Sequence, residues 1–323
     1  MRRRDFLKLA SAAVAAGAST RATAQAQSWP ERPVKLVLPY APGGGTDLVG
    51  RPWADKLSQV FGQQFVVDNR GGATGTIGTE AVAKAAPDGY TFLLTPNGPL
   101  TVTPSLRKLG YDPVKDLTPV ARVGDVVSGF AIHPSVGAKT FKEMIDYAKK
   151  NPGKLAYGSA GLGGSTHLRI EMLKYKAGVD ILHVPYRGSG DALNDLLSGN
   201  IQMMNEINNL PHVRAGKLTL LNINYGQRHP DFPEVPTLTE AGYADSDVPI
   251  WFAIFAPAGT NKDIVQKLNA KVVELAKGDD MKAKMLAISI AVPTQTPDEM
   301  ARFATEDTTR NAEVIKAANV KLD

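Results

Sequence analysis

The chain has 323 residues, 37 Lys and Arg against 32 Asp and Glu, a formal net charge of +5, and no cysteine. Without cysteine there is no disulfide frame, no thiolate metal site and no lipid anchor on an N-terminal Cys. Arg2, Arg3, Arg4, Lys8 and Arg21 stand against Asp5 in the first 26 positions, so that segment holds +4 and the remainder only +1; no basic surface for nucleic acid is expected.

Residues 1–26, MRRRDFLKLASAAVAAGASTRATAQA, combine a basic head, a small apolar middle and Ala22-Thr23-Ala24 or Ala24-Gln25-Ala26 as a cleavage signal. This is a predicted signal peptide, and Arg3-Arg4-Asp5-Phe6-Leu7-Lys8 resembles a twin-arginine export motif. The apolar middle contains Gly17, Ser19 and Thr20 and falls short of the roughly 20 residues of a membrane span. A periplasmic location is expected, by Tat or Sec export. The rest of the chain is long enough for two domains of roughly 150 residues each.

From there, short apolar runs alternate with helical patterns, which predicts α/β units around mixed, mainly parallel sheets flanked by helices. Val34–Leu38, Phe65–Val67, Thr91–Thr95, Leu155–Tyr157, Ile181–Tyr186, Ile201–Met204 and Leu218–Ile223 read as strands. Leu48, Val49, Trp53, Leu57, Val60 and Phe61 recur at helical spacing, as do Leu168, Met172, Leu173 and Tyr175. Pro52 falls inside the first pattern, so a kink or a late helix start is expected near Gly50-Arg51-Pro52. Residues 117–133 and 249–257 are long β-prone runs that flank a middle block, and they read as crossover strands. The expected division is therefore a discontinuous domain of 27–130 plus 250–323 and a second of 131–249. Lys262–Lys277 and Pro297–Ala318 read as helices packing back on the first domain, the latter opened by Thr296 as cap with Asp298 and Glu299 in its first turn.

Three glycine-rich segments each join a strand to a helix: YAPGGGTDLVGR (Tyr40–Arg51), NRGGATGTIGTE (Asn69–Glu80) and GSAGLGGSTH (Gly158–His167). The first amides of a helix lack internal partners and carry roughly half a positive charge, and glycine lets an anion approach them closely. A bound anion is one reading; a tight βα turn is the other. Nucleotide readings fail on the residues. No loop has the lysine of a P-loop, and Gly161-Leu162-Gly163-Gly164-Ser165-Thr166 ends on Thr where the dinucleotide fingerprint needs Gly.

Catalytic and metal constellations are scarce. His133, His167, His183, His212 and His229 form no HExxH motif and no metal-spaced helical pair, and no GxSxG elbow occurs. No cofactor and no metal are expected. His167 reads as a polar wall or a helix N-terminal donor, and His183 as a strand residue with its ring hydrogen-bonded. Asp47 reads equally as a first-turn acid or as an anchor for ordered water.

Taken together, LPYAPGGGTDLVGR, VVDNRGGATGTIG, YGSAGLGGSTHLRIEML, HVPYRGSGDALNDLLSGNIQMM, PEVPTLTEAGY and WFAIFAPAGT resemble the substrate-binding proteins of tripartite tricarboxylate transporters, the Bug receptors. The resemblance implies a two-domain periplasmic-binding-protein-like (Venus flytrap) fold that closes on a small carboxylate, delivers it to membrane permease subunits and performs no chemistry. It implies a monomeric receptor whose first-domain site is Tyr40, Gly43, Gly44, Gly45, Thr46, Asp47, Gly72, Ala73, Thr74 and Asn97. The second-domain positions are Ser159, Ala160, Ser165, Thr166, His167, Gly188, Asp191 and Asn205. Three departures from the family pattern bear on ligand choice. Thr74 stands where Gly is usual. Asp191 replaces a frequent Pro, as a helix cap or as a partner for a cationic ligand group. Asn205-Glu206 replaces a Phe-Asp-like pair. The competing expectation is an exported enzyme acting on a small carboxylate, motivated by the twin-arginine-like head and Ser165-Thr166-His167.

Overall fold

A computed structural model describes residues 29–322; the signal peptide predicted over residues 1–26 lies outside them. The chain runs β1 (Val34–Leu38), α1 (Gly45–Phe61), β2 (Phe65–Asn69), α2 (Thr76–Ala83), β3 (Thr91–Pro96) and the long β4 (Leu117–Val126). The middle block is β5 (Ala131–Ile132), α3 (Phe141–Lys150), β6 (Ala156–Ser159), α4 (Ser165–Ala177), β7 (Leu182–Pro185), α5 (Ser189–Leu197), β8 (Met203–Met204), α6 (Leu210–Arg214) and β9 (Thr219–Leu220). It ends with β10 (Trp251–Pro257), α7 (Lys262–Lys277), α8 (Asp279–Ala287), β11 (Ile290–Ala291) and α9 (Pro297–Ala317).

Two sheets result, ordered β11-β4-β10-β3-β1-β2 and β7-β6-β8-β5-β9. The βα units pair in parallel: β1 with β2 and β3, and β6 with β7 and β8. The crossover strands β4, β5 and β10 pair antiparallel, so the two pairing types are nearly balanced. This is the two-domain α/β fold that the alternating pattern predicts, with a core beneath each sheet. Trp53, Leu57, Phe92, Ile254 and Leu268 pack one; Phe141, Met144, Tyr157, Leu173 and Met203 pack the other.

Two segments pass between the sheets, and they are bonded to each other. Asn224 donates its amide to Ser128 O (2.7 Å) and Leu221 to Phe130 O (2.9 Å). A Cβ on Gly129 would lie 1.5 Å from Asn222 O, so only glycine lets the strands approach this closely.

Local details correct the sequence reading. α1 starts at Gly45 and runs through Pro52 to Phe61, so the late start offered as one of the two readings is not seen. Val49, Trp53 and Leu57 are buried, and burial of one long face offsets the single amide bond that proline removes. Gly50 is explained by packing, since a Cβ there would meet Leu38 side-chain carbons at 2.7 Å. Val60 and Tyr175, placed on apolar faces by periodicity, are exposed. The strands expected over 201–204 and 218–223 shorten to Met203–Met204 and Thr219–Leu220.

Candidate functional site

The carboxyl ends of β1, β3, β6 and β7 point at one cleft between the sheets, the position where open α/β sheets place ligands. Its walls include Tyr40, Gly44, Gly45, Thr46 and Pro96 from one side and Ala160, Ser165, Thr166, Gly188, Ser189, Asn205 and Glu206 from the other. Val126, Ile250 and Phe252 form an apolar floor, and the space inside is about 50 Å³, room for a few water-sized groups.

Three helices start here. α1, α4 and α5 are preceded by Gly44, Gly164 and Gly188, and none of these N-caps supplies a side-chain hydrogen bond. By contrast, α3, α7 and α9 are capped by Thr140, Asn261 and Thr296 side chains. A missing cap alone is not distinctive, because Gly278 before α8 has none either. The convergence of three such termini on one cleft is. Their N-terminal amides and dipoles supply positive potential without a cation, and among the described residues no Lys, Arg or His lines the cleft.

Asp47 holds the first loop. Its Oδ2 accepts from Gly43 N–H (3.0 Å) and Arg51 Nε (2.8 Å), and its Oδ1 from Asn69 Nδ2 (3.1 Å). Burial pushes this carboxyl up, but the hydrogen bonds from Arg51, Gly43 and Asn69 outweigh it and hold the group below the ordinary range. It is a first-turn acid that pins the loop, and it is not among the residues that line the cleft.

The two sides are bridged. Gly45 N–H donates to Ser189 Oγ (3.1 Å), Thr74 Oγ1 to Leu162 O (2.8 Å), Thr103 Oγ1 to Gly163 O (3.0 Å) and Ser165 Oγ to Asn97 Oδ1 (2.7 Å). Asn97 is fully buried and donates to Asp307 Oδ2 (3.1 Å), so α9 is tied to the cleft from behind.

Of the residues singled out by sequence, Tyr40, Gly44, Gly45, Thr46, Ala160, Ser165, Thr166, Gly188 and Asn205 line the cleft. Gly43, Gly72, Ala73, Thr74 and Asn97 do not line it; Thr74 and Asn97 take part in the bridging bonds. Tyr40 donates its hydroxyl to Thr74 O (3.1 Å). Asp191 is exposed in the first turn of α5, whose cap is Gly188 without a side-chain bond, so the expected cap is not made, and Asp191 is not among the residues that line the cleft. Ser189, Glu206 and Ile207 are walls that sequence reasoning did not place there. The Asn205-Glu206 departure was the available signal for Glu206.

Ser159 and His183 form a Ser–His pair, Oγ to Nε2 2.7 Å, but its setting is structural. Ser159 is fully buried, and its Oγ also accepts from Gly161 N–H (3.2 Å). The His183 ring stacks on Tyr157 and His167. Burial, then His167 and Lys174, push its pKa down to about 3, which makes it a poor general base at neutral pH. His167 is lowered to about 4, chiefly by burial, and its Nδ1 accepts from Gly163 N–H (3.2 Å); of the two readings, it is not in the cleft lining, and at the helix start this nitrogen accepts rather than donates.

Two α/β domains around a cleft fed by helix N-termini define a two-domain solute-binding protein. The family model described as "Tripartite tricarboxylate transporter family receptor" matches residues 49–320, and the chain belongs to that family. It is 36% identical over 313 residues to Protein BugT of Bordetella pertussis, covering 95% of each chain. A protein of R. palustris solved with adipate superposes with TM-score 0.88 at 35% identity, covering 91% of this chain and 99% of that one. MatC from Rhodopseudomonas palustris, solved with malate, gives TM-score 0.83 at 32% identity, covering 89% and 100%. The periplasmic binding protein BugD gives TM-score 0.85 at 35% identity, covering 91% and 99%.

Proposed function

We propose that this chain is the periplasmic solute-capturing receptor of a tripartite tricarboxylate-type transporter. It binds a small carboxylate between its domains and delivers it to membrane permease subunits. The observation that carries this reading is the convergence of the uncapped starts of α1, α4 and α5 on one cleft without a cation. The adipate and malate found with two relatives agree with it. The units that move are taken as 27–130 plus 250–323 and 131–249, and the ligand contacts as the cleft-lining residues at the starts of α1, α4 and α5 together with Tyr40, Ala160 and Asn205.

Magnitudes are compatible. Micromolar affinity is about 8 kcal/mol, charge-assisted hydrogen bonds contribute roughly 1.5–3 kcal/mol each, and about four to six would suffice after the entropy of ordering. Contacts from both sides are needed, since only differential binding shifts the open–closed balance. The buried Ser159–His183 pair argues against chemistry on the ligand.

A thermal-shift screen of di-, tri- and aromatic carboxylates and acidic amino acids tests the proposal. A ligand at about 100 times its dissociation constant should add roughly 2.7 kcal/mol. If no carboxylate stabilises the protein, the proposal fails.

A further inference from the structure

The cleft holds one acid that the receptor reading leaves without a task. Glu206 lines it, and its Oε2 lies 3.6 Å from the position of a Cβ on Gly45, beside the start of α1. The Thr166 side chain, on the same wall, favours its ionised form. An anion site that includes its own carboxylate is a contradiction unless the ligand resolves it.

The cation that acts on Glu206 from within the protein is Arg169, one turn further along α4 and fully buried. Its Nε donates to Val248 O (2.7 Å) and its Nη1 to Asn205 Oδ1 (2.9 Å), while Nη2 is buried without a hydrogen-bond partner. From the end of β1, Tyr40 faces the same space, and burial followed by Glu206 itself disfavours loss of its phenolic proton. Burial pushes the Glu206 carboxyl up to about 7 against the opposing pull of Thr166 and Arg169. A partly desolvated carboxylate without a close ion-pair partner is destabilising, and an approaching second carboxylate would disfavour its ionisation further.

We propose that Glu206 selects a ligand that carries an ammonium group beside its carboxylate, so that the cleft takes amino-carboxylates in preference to their amine-free analogues. The ligand carboxylate faces the helix starts and its ammonium faces Glu206. This rests on the carboxylate reading of the cleft. It also moves to Glu206 the cation contact that sequence offered to Asp191.

Titration calorimetry at neutral pH on three pairs that differ by one amine tests it: aspartate with succinate, glutamate with glutarate, and phenylglycine with phenylacetate. At least one amine-bearing member should bind roughly tenfold or more tighter than its analogue, and Glu206→Gln should close most of that gap. The proposal is overturned if the analogues bind equally or more tightly, or if the gap survives in the folded Glu206→Gln variant. Tight binding of an amine-free acid would remove only the role of Glu206. Silence from all three pairs would overturn this proposal and count against the receptor reading as well.

Discussion

Thr74 donates its hydroxyl to the carbonyl of Leu162, 2.8 Å away across the cleft, while its own backbone stands at φ 59° and ψ 39°. A β-branched residue in the left-handed region is strained by roughly 1–2 kcal/mol. The bridge and the strain reside in one residue, and they act on different equilibria.

Thr74→Gly separates them. Removing the hydroxyl takes about 0.5–1.5 kcal/mol from the bridged form, so ligand affinity should fall by roughly two- to tenfold. Thermal stability without ligand should hold or rise as the strain is relieved. Calorimetric affinity and a melting curve on the same variant check both, and a tighter binder would rule out the bridge.

Asp47→Ala should weaken every carboxylate by a similar factor, because the loop it pins belongs to no particular ligand. The expected loss of stability is about 1–2 kcal/mol. Since the folded carboxyl is held below its ordinary value, its contribution is present at neutral pH and is lost as pH falls through the folded pKa. Acid unfolding of wild type and variant should therefore converge at low pH. Curves that stay parallel down to acid would remove this role.

Glu206 predicts the opposite slope. Its folded pKa of about 7 lies above the ordinary 4.5, so the folded chain retains a proton that the unfolded chain releases. This acid therefore makes stability fall as pH rises from about 4.5 to 7, by about 3 kcal/mol at most. His167 and His183, both lowered, act in the other direction below their ordinary value. The comparison that isolates Glu206 is wild type against Glu206→Gln, whose stability difference without ligand should change between mildly acidic and neutral buffer. A difference independent of pH would contradict the assignment.

Asp307 is fully buried on α9, and its Oδ2 accepts from Asn97 (3.1 Å), Thr101 (2.7 Å), Trp251 (3.0 Å) and Asn311 (3.0 Å). Asp307→Ala orphans several buried donors and should cost roughly 3–5 kcal/mol. Denaturant unfolding followed by tryptophan fluorescence measures it, and a loss below about 1 kcal/mol would show that the network is dispensable.

The glycine loops were legible in sequence because strand, glycine turn and helix start are consecutive in the chain. The crossover runs were legible because a long β-prone stretch has no helical period. Lys262–Lys277 matches the observed α7 residue for residue, since its apolar spacing and its cap are both local. What sequence could not show was set by tertiary contact. Asp191 and Ser189 sit two residues apart on α5, yet the helix turns one to solvent and the other to Gly45. Glu206 joins the cleft only because a chain that leaves β8 passes the start of α1. Pro52 was misjudged for a similar reason: its local penalty is visible in sequence, and the buried face that absorbs it is not.

The contact at Gly129 and Asn222 has a mechanical meaning. Two separate tethers could bend, slide or shear independently, but strands stitched together at Ser128, Phe130, Leu221 and Asn224 flex as a single ribbon. In the receptor reading proposed above, a hinge of this kind would carry the starts of α4 and α5 away from that of α1 together, so that a departing solute would lose both contacts in one step.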